Sequence, residues 1–462
     1  MRLIIWLLFE VSLIIAQERL WVRRFDRGAD EYGLCLTLDN TGNAIISGDR
    51  VDTLAQEADL LLLKYSPDGD TVWTRIYGNE IKTAYHVVFD HDGNIILAGG
   101  SGNDTIELQC WLAKFTPDGR LLWEREYWLG GVDHFTSASV DEQNNLLVVG
   151  GTYSYSGGGI SNGLIFKYDA NGNLLWFKRY NWIWAFWGVT EMLPNGDFFV
   201  TGADTAWQML TARFDSTGDT VWTRRAPWGG NYSQGWAISL DNIGNVLVTG
   251  YTVQELEYDW GIIKYSAAGD TIWTRRVDFS SCDWATDIAA DTAGNIYVCG
   301  NIGTIDTLDY LLAKFTSAGS LIWTAVYDNG YDDRCFGLII DSAGNLIVTG
   351  ASHNGADYDV VTIKYSGANG IEQKEAQKIK QGALTNNIIT ANSALLISIR
   401  QPADYRIVLY DLTGREVERL YQGQLEIGEY RLPIRTNLRN GVYLVRIEAG
   451  GRVQTGKVIL TR

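Results

Sequence analysis

Residues 71–77 read TVWTRIY, and the phrase returns as RLWVRRF (19–25), LLWEREY (121–127), LLWFKRY (174–180), TVWTRRA (220–226), TIWTRRV (271–277) and LIWTAVY (321–327). Their central tryptophans, Trp21, Trp73, Trp123, Trp176, Trp222, Trp273 and Trp323, are 52, 50, 53, 46, 51 and 50 residues apart. A period of about fifty residues means one supersecondary unit copied and stacked. Working outward from 71–77, the unit at 33–77 reads as four short strands, GLCLTLD, NAIISGD, DLLLLKY and TVWTRIY. NTGN, a variable loop and SPDGD separate them, and Gly, Asn and Asp are the residues that such turns select.

The punctuation recurs. An Asp closes strand one ahead of Gly-Asn at Asp39, Asp90, Asp241, Asp291 and Asp341; repeat three has Asp141 with Asn144-Asn145, and repeat four Pro194-Asn195-Gly196. A glycine ends strand two at Gly48, Gly99, Gly150, Gly202, Gly250, Gly300 and Gly350. Strand three carries Lys64, Lys114, Lys167, Arg213, Lys264, Lys314 or Lys364, with Asp59, Gln109, Asn162, Gln208, Asp259, Asp309 or Asp359 five residues earlier, read here as its polar partner. Features shared by every repeat are assigned to the fold, because one binding site cannot use seven equivalent places.

A four-stranded sheet cannot bury both faces alone, whereas a ring of such sheets can, so the chain is predicted to be an all-β, seven-bladed β-propeller. It begins at a tryptophan strand and its last repeat ends after a third strand. The N-terminal strand is therefore expected to complete the last blade and remove an open edge. An open solenoid would want distinct capping repeats, and none is visible.

DNIGNVLVTGYT (241–252) and DWGIIKYSAAGDTIWTRRV (259–277) resemble the SBBP-type bacterial β-propeller repeat, a likeness covering roughly residues 19–367. After Tyr365 the period stops. A Lys-rich linker (368–385) precedes renewed alternation over 386–462, read as a small antiparallel β-sandwich. Its residues Val408–Val417, Asn440–Arg446, Gly450-Gly451 and Lys457–Leu460 resemble the type A C-terminal sorting domain of type IX secretion cargo. Gly414, Arg415, Gly441, Tyr443 and Lys457 carry that resemblance, although LTNNIITANS stands where an Asn-Pro turn usually opens such domains. The resemblance implies export to the cell surface or medium by the type IX outer-membrane secretion machinery.

Residues 1–16, MRLIIWLLFEVSLIIA, read as a signal peptide despite Glu10, with a buried N-terminal strand as the alternative. The propeller is then expected over 17–367. No later run reaches the roughly 18 apolar residues of a membrane helix, so no transmembrane anchor is expected. Five cysteines, Cys35, Cys110, Cys282, Cys299 and Cys335, lack CxxC spacing. A Cys35–Cys335 bridge across the closing blades is conceivable, and buried thiols are the plainer reading. Residues 371–462 hold 14 basic against 9 acidic side chains, which leaves −22 of the net −17 on the remainder. That acidity argues against nucleic acid, which is bound through phosphate neutralisation.

Function is sought where blades differ. Trp182, Trp184, Phe186 and Trp187 crowd RYNWIWAFWGV (179–189), beside the shortened loop ADTAWQM, as a candidate aromatic patch or a plug for that gap. On the first strands, the polar singletons His86, Glu191 and Asp287 stand among small residues and are candidate ligands if they converge on the axis. Tyr32, Tyr85, Phe135, Trp187, Trp236, Trp284 and Phe336 lead into the first strands, where a packing role is expected. No GxSxG or HExxH motif occurs, no catalytic residue, cofactor or metal site is assigned, and no turn has EF-hand ligand spacing. The expected function is a secreted binding module for polysaccharide or a surface protein. The alternatives are an extracellular polysaccharide- or protein-degrading enzyme using Glu191 and Asp287, and a structural surface-layer component.

Overall fold

The structure, a computed structural model, describes residues 19–52, 57–78, 81–102, 108–154, 160–189, 192–228, 232–254, 257–304, 306–367, 394–399, 403–410, 415–426, 428–434, 441–449 and 452–460. Every regular element among them is a strand, and they fall into two compact units, one within 17–369 and one within 370–462. No helix among the described residues is long and apolar enough to cross a membrane.

The larger unit holds seven four-stranded antiparallel sheets. Blade one comprises Asp30–Leu38, Ala44–Asp52, Glu57–Tyr65 and Thr71–Tyr77. Blades two to six repeat this order over 81–127, 132–180, 183–225, 232–277 and 284–327. Blade seven takes Asp333–Ile340, Leu346–His353 and Tyr358–Tyr365 from one end of the chain and Arg19–Phe25 from the other. The closing strands pair antiparallel, Trp21 opposite Lys364 and Phe25 opposite Val360. Each first strand packs on the first strands of both neighbouring blades, the seventh on the first, so the first strands form the inner ring.

Second and third strands are buried on both faces, which explains their unbroken apolar runs; Leu60, Leu61, Leu62 and Leu63 are all enclosed. Each such side chain contributes about 1.5–3 kcal/mol through burial. Fourth strands lie outside and mix exposed and half-buried positions, with no fully buried residue in Thr71–Tyr77.

A β-bulge interrupts every first strand at one register, leaving Leu34, Tyr85, Thr136, Trp187, Trp236, Thr286 and Phe336 unpaired with the second strand. The glycine ending strand two faces it. A Cβ on Gly48 would stand 1.7 Å from the Tyr32 carbonyl oxygen, and one on Gly250 1.9 Å from that of Gln234. The repeated glycine is thus the space that the bulge needs.

The basic residue of strand three does not pair with the residue five positions earlier. Lys64, Lys114, Lys167, Arg213, Lys264 and Lys364 instead reach the strand-one turn, at 2.7–2.9 Å from Asp39, Asp90, Asp141, Asp197, Asp241 and Asp341. Five residues of extended chain span roughly 17 Å, so the expected partner lies at the other end of the strand. Blade four keeps the pair by moving its acid four residues on, to Asp197. In blade six the Tyr297 hydroxyl donates to Asp291 at 3.1 Å, and Lys314 rests over the Tyr297 ring. Burial pushes the Asp39 carboxyl up, but hydrogen bonds from Lys64, Asn43 and Thr41 more than reverse it and hold it below the ordinary range.

All five cysteines are buried and free, so no Cys35–Cys335 bridge forms; Cys35 Sγ lies 2.8 Å from Ser47 Oγ within its own blade.

The smaller unit pairs Ala394–Ile399 with Gly428–Pro433 in one sheet. A second sheet orders Glu416–Leu425, Ala403–Tyr410, Gly441–Ala449 and Arg452–Leu460. Tyr405, Ile407, Leu409, Leu432, Tyr443 and Val445 are among the residues filling its core.

Candidate functional site: an aromatic arc on the inner strands

The aromatic residues near 179–189 separate. Phe186 is fully buried and packs edge-on against Tyr180 and Phe214, a core residue. Trp182 is about one-third exposed and, among the described residues, its one ring contact is with Tyr180. Trp184 and Trp187 lie together, with ring centroids 6.2 Å apart, and belong to something larger.

Trp187 is the bulged residue of blade four, and the bulge brings its ring to the rings of neighbouring inner strands. From Tyr85 of blade two the rings run to His134 (5.9 Å), Trp187 (5.9 Å), Trp236 (6.4 Å) and Trp284 of blade six (6.5 Å). Five consecutive blades each supply one ring. Trp184 carries the series on to Trp207, with ring centroids 4.4 Å apart and planes tilted by 36°, and Trp207 meets Tyr232 edge-on at 6.3 Å. Trp207 occupies the tight turn made by the shortened loop of blade four with φ of +58°, a strained conformation for a bulky side chain. Its exposure is 39%, so the strain is spent holding a tryptophan at the surface.

The polarity of the arc is unusual. The indole nitrogens of Trp187, Trp236 and Trp284 are buried without a hydrogen-bond partner. Each such donor costs about 1–3 kcal/mol, and tryptophan ordinarily turns this end towards a partner. Burial also pushes the His134 imidazole down to about 4, so it is neutral at pH 7 and adds no charge.

The polar singletons do not form a common centre. His86 Nδ1 accepts the Ala138 N–H of blade three at 3.3 Å. Asp287 accepts Ile288 N–H and, across the next junction, Leu338 N–H, both at 2.8 Å. Ser137 holds Val189 N–H of blade four in the same way. These side chains occupy one register position and latch successive blades. Burial drives His86 down to about 4 and Asp287 up to about 7. Glu191 lies outside the described residues.

Among the sorting-domain positions, Tyr443 is in the core, Gly441 opens its strand, Arg415 is exposed just before Glu416–Leu425, and Lys457 sits opposite Leu444 in the edge strand. Gly414 lies outside the described residues.

Sequence reasoning named Trp184 and Trp187 but gave Trp236 and Trp284 only packing roles and missed His134, Trp207 and Tyr232. The available signal was the aromatic run at or just before the bulge register, in the blades flanking the shortened loop.

Comparison with known proteins adds two family matches and a fold likeness. Residues 390–461 match the secretion system C-terminal sorting domain, and residues 272–304 match the SBBP β-propeller repeat. No curated protein matches the chain. Similar solved structures include the Dos1 propeller (10% identity, 76% of this chain and 95% of that one, TM-score 0.45). The WD40 domain of coronin from Toxoplasma gondii is another (11%, 78% and 90%, TM-score 0.47). A puromycin hydrolase matches at 14% identity over 81% of this chain and 60% of its own, TM-score 0.45. These likenesses carry no argument about function. The sorting domain implies handling by type IX secretion machinery and delivery to the cell surface. The seven sheets make the larger unit a β-propeller, which matches the SBBP β-propeller repeat at residues 272–304 and is followed by a match to the secretion system C-terminal sorting domain at 390–461.

Proposed function

We propose that this protein is a cell-surface binding module that captures polysaccharide on the aromatic arc Tyr85–His134–Trp187–Trp236–Trp284 and its extension through Trp184 and Trp207. The observation that carries the reading is the arc itself: five blades align rings at 5.9–6.5 Å while three indole N–H groups stay buried and unpartnered. A fold that only needed packing would fill these positions with aliphatic side chains and avoid the cost. Flat, weakly charged aromatic faces in series suit the C–H faces of successive sugar rings, and a binder repeated along a polymer gains from several weak stacking contacts. In the same reading residues 1–16 are a signal peptide, 17–367 the binding propeller, 368–385 a linker, and 386–462 the export signal.

A glycan-array screen of the purified protein tests this, run beside Trp184→Ala/Trp187→Ala, Trp236→Ala and Trp182→Ala. Binding should fall several-fold for each arc ring lost, about 1 kcal/mol apiece, and persist in Trp182→Ala, whose ring stands apart from the arc. A blank array, or binding that every arc variant retains, ends the carbohydrate reading and turns the search to protein partners.

A further inference from the structure

Three blade junctions carry clusters of three acids, each built on the acid of a third strand. Asp259, Asp278 and Asp283 meet between blades five and six; Asp309, Asp328 and Asp333 between six and seven; Asp359, Asp26 and Asp357 at the closing junction. In each, one carboxylate oxygen per residue lies within 4.8 Å of the other two. Two of the clusters already hold a cation. Arg276, on the fourth strand of blade five, ion-pairs with Asp259, and Arg24, on that of blade seven, ion-pairs with Asp359. Register explains both. Arg276 stands opposite Gly261 and Arg24 opposite Val361, each two residues beyond the acid on the third strand.

Blade six has the same register and lacks the cation. Val326 stands opposite Leu311, two residues beyond Asp309. Asp309 accordingly accepts no hydrogen bond and forms no ion pair among the described residues, though half-buried. Asp333 is fully buried. Its Oδ2 accepts Asn329 N–H at 2.8 Å, and its Oδ1 is buried without a hydrogen-bond partner, as are Oδ1 of Asp259 and Asp359. Asp328 accepts Gly330 N–H through Oδ1. The surrounding charges do not fill the gap. Asp332 is committed to Arg334 and Leu308 N–H, and Arg24 to Asp359 and Ser352. Burial, reinforced by Asp328 and Asp333, pushes Asp309 up to about 7, the mark of carboxylates crowded without a counter-ion.

We propose that Asp309, Asp328 and Asp333 form a calcium site that locks blade six to blade seven, with the ion taking the place of the guanidinium found in the sibling clusters. The donors are all carboxylate oxygens, the hard set that calcium selects, and ligand distances of roughly 2.3–2.6 Å allow opposed oxygens to stand almost 5 Å apart. Zinc would ask for His or Cys donors, and magnesium for a stricter octahedron. The site is separate from the aromatic arc and stands whether or not that arc binds sugar.

The test is calcium titration of the chelator-treated full chain by calorimetry, paired with thermal melts, for the wild type, Asp309→Asn and Val326→Arg. The expected result is one calcium bound with Kd on the order of 10⁻⁴–10⁻³ M and a melt raised by a few degrees. Asp309→Asn should lose both. Val326→Arg should restore the internal cation, raise the melt of the calcium-free protein and abolish the calcium response. It also keeps the test decisive should Asp309→Asn fail to fold. A wild type without calcium-linked binding, or binding that survives both variants, overturns the proposal. So does a chain stabilised at pH 5 that takes up no calcium, since a shared proton would then be the counter-charge.

Discussion

Trp21 donates its indole N–H to the Pro67 carbonyl at 3.0 Å, so the strand that completes blade seven also grips the turn between the third and fourth strands of blade one. Arg23, two residues on, donates to the Gly69 carbonyl of the same turn. The pattern recurs: Trp222 and Arg224 hold Ala267 and Gly269, and Trp273 and Arg275 hold Ser317 and Gly319. The turn glycine lies under the indole, where a Cβ on Gly69 would stand 2.8 Å from Trp21 Cδ2, and it adopts a positive φ of 84°. Trp21, Trp222 and Trp273 are therefore inter-blade clasps. Trp323 is followed by Ala325 where the other repeats have Arg or Lys. Its neighbour, blade seven, is the one blade whose third and fourth strands come from opposite ends of the chain, so no turn is there to be held.

Removing the Arg19–Phe25 strand should strip blade seven of its outer strand, the Trp21–Pro67 bond and the Arg24–Asp359 ion pair together. A sharply lower melting temperature and rapid proteolysis near Tyr358–Tyr365 are expected. An unchanged melt would contradict non-covalent closure.

Lys264→Met should be costly, because Lys264 and Asp241 are both almost fully buried and paired at 2.8 Å. Removing one partner leaves an uncompensated buried charge, worth about 3 kcal/mol, and urea unfolding measures it. Lys178→Met, which breaks an exposed pair with Asp219, should cost under about 1 kcal/mol.

Gly250→Ala should destabilise by about 2–3 kcal/mol through overpacking, since the new methyl would stand 1.9 Å from the Gln234 carbonyl oxygen behind the bulge. A chemical denaturation midpoint equal to that of the wild type would show that the bulge can relax.

Stability should peak in mildly acidic solution. Asp49, Asp287 and Glu31 are pushed by burial up to about 7, so between pH 4 and 7 they hold protons that the unfolded chain has released, and their contribution falls as pH rises across that window; His86 and His134, held down at about 4 by burial, oppose them, two groups against three. Asp39, Asp90, Asp141, Asp241 and Asp341 are held below their ordinary values, burial being outweighed by their Lys and Asn partners. Their contribution is present above about pH 4 and is lost as pH drops below it. Thermal melts from pH 3 to 9 should therefore reach a maximum between about pH 4 and 6, and a steady rise towards pH 8 would refute this balance.

Deleting residues 390–461, the matched sorting domain, should leave the propeller folded but inside the outer membrane. Cell fractionation with antibody labelling of intact cells reads this directly. Normal surface display of the shortened chain would show that export relies on another signal.

Blade number, the closing strand and the turns were legible in the sequence because each depends on residues close in the chain: a fifty-residue period, Gly and Asn where turns need them, and a phase that starts one strand early. The partner of Lys64 was not. Asp59 is near in sequence but lies at the far end of the strand, whereas Asp39 is brought alongside by pairing of the third strand with the second. The aromatic quartet was half legible. Adjacency on one strand suggested a patch, yet alternation buried Phe186, and the bulge re-aimed Trp187 towards rings about fifty residues away in either direction.

The amino-acid sequence by itself determined the repeated unit, the seven blades, the ring closed by its own N-terminal strand and the sorting domain that follows. The first three rest on local propensity and period, and the sorting domain on the resemblance of its residues to a known family. Tertiary structure alone decided which singular residues become neighbours: the arc from Tyr85 to Trp284, the latches of His86 and Asp287 to the next blade, and the acids at 309, 328 and 333 left without the arginine of their siblings. The physical reason is that a ring brings equivalent positions of successive blades together only after it closes, and a bulge then sets which way each side chain points.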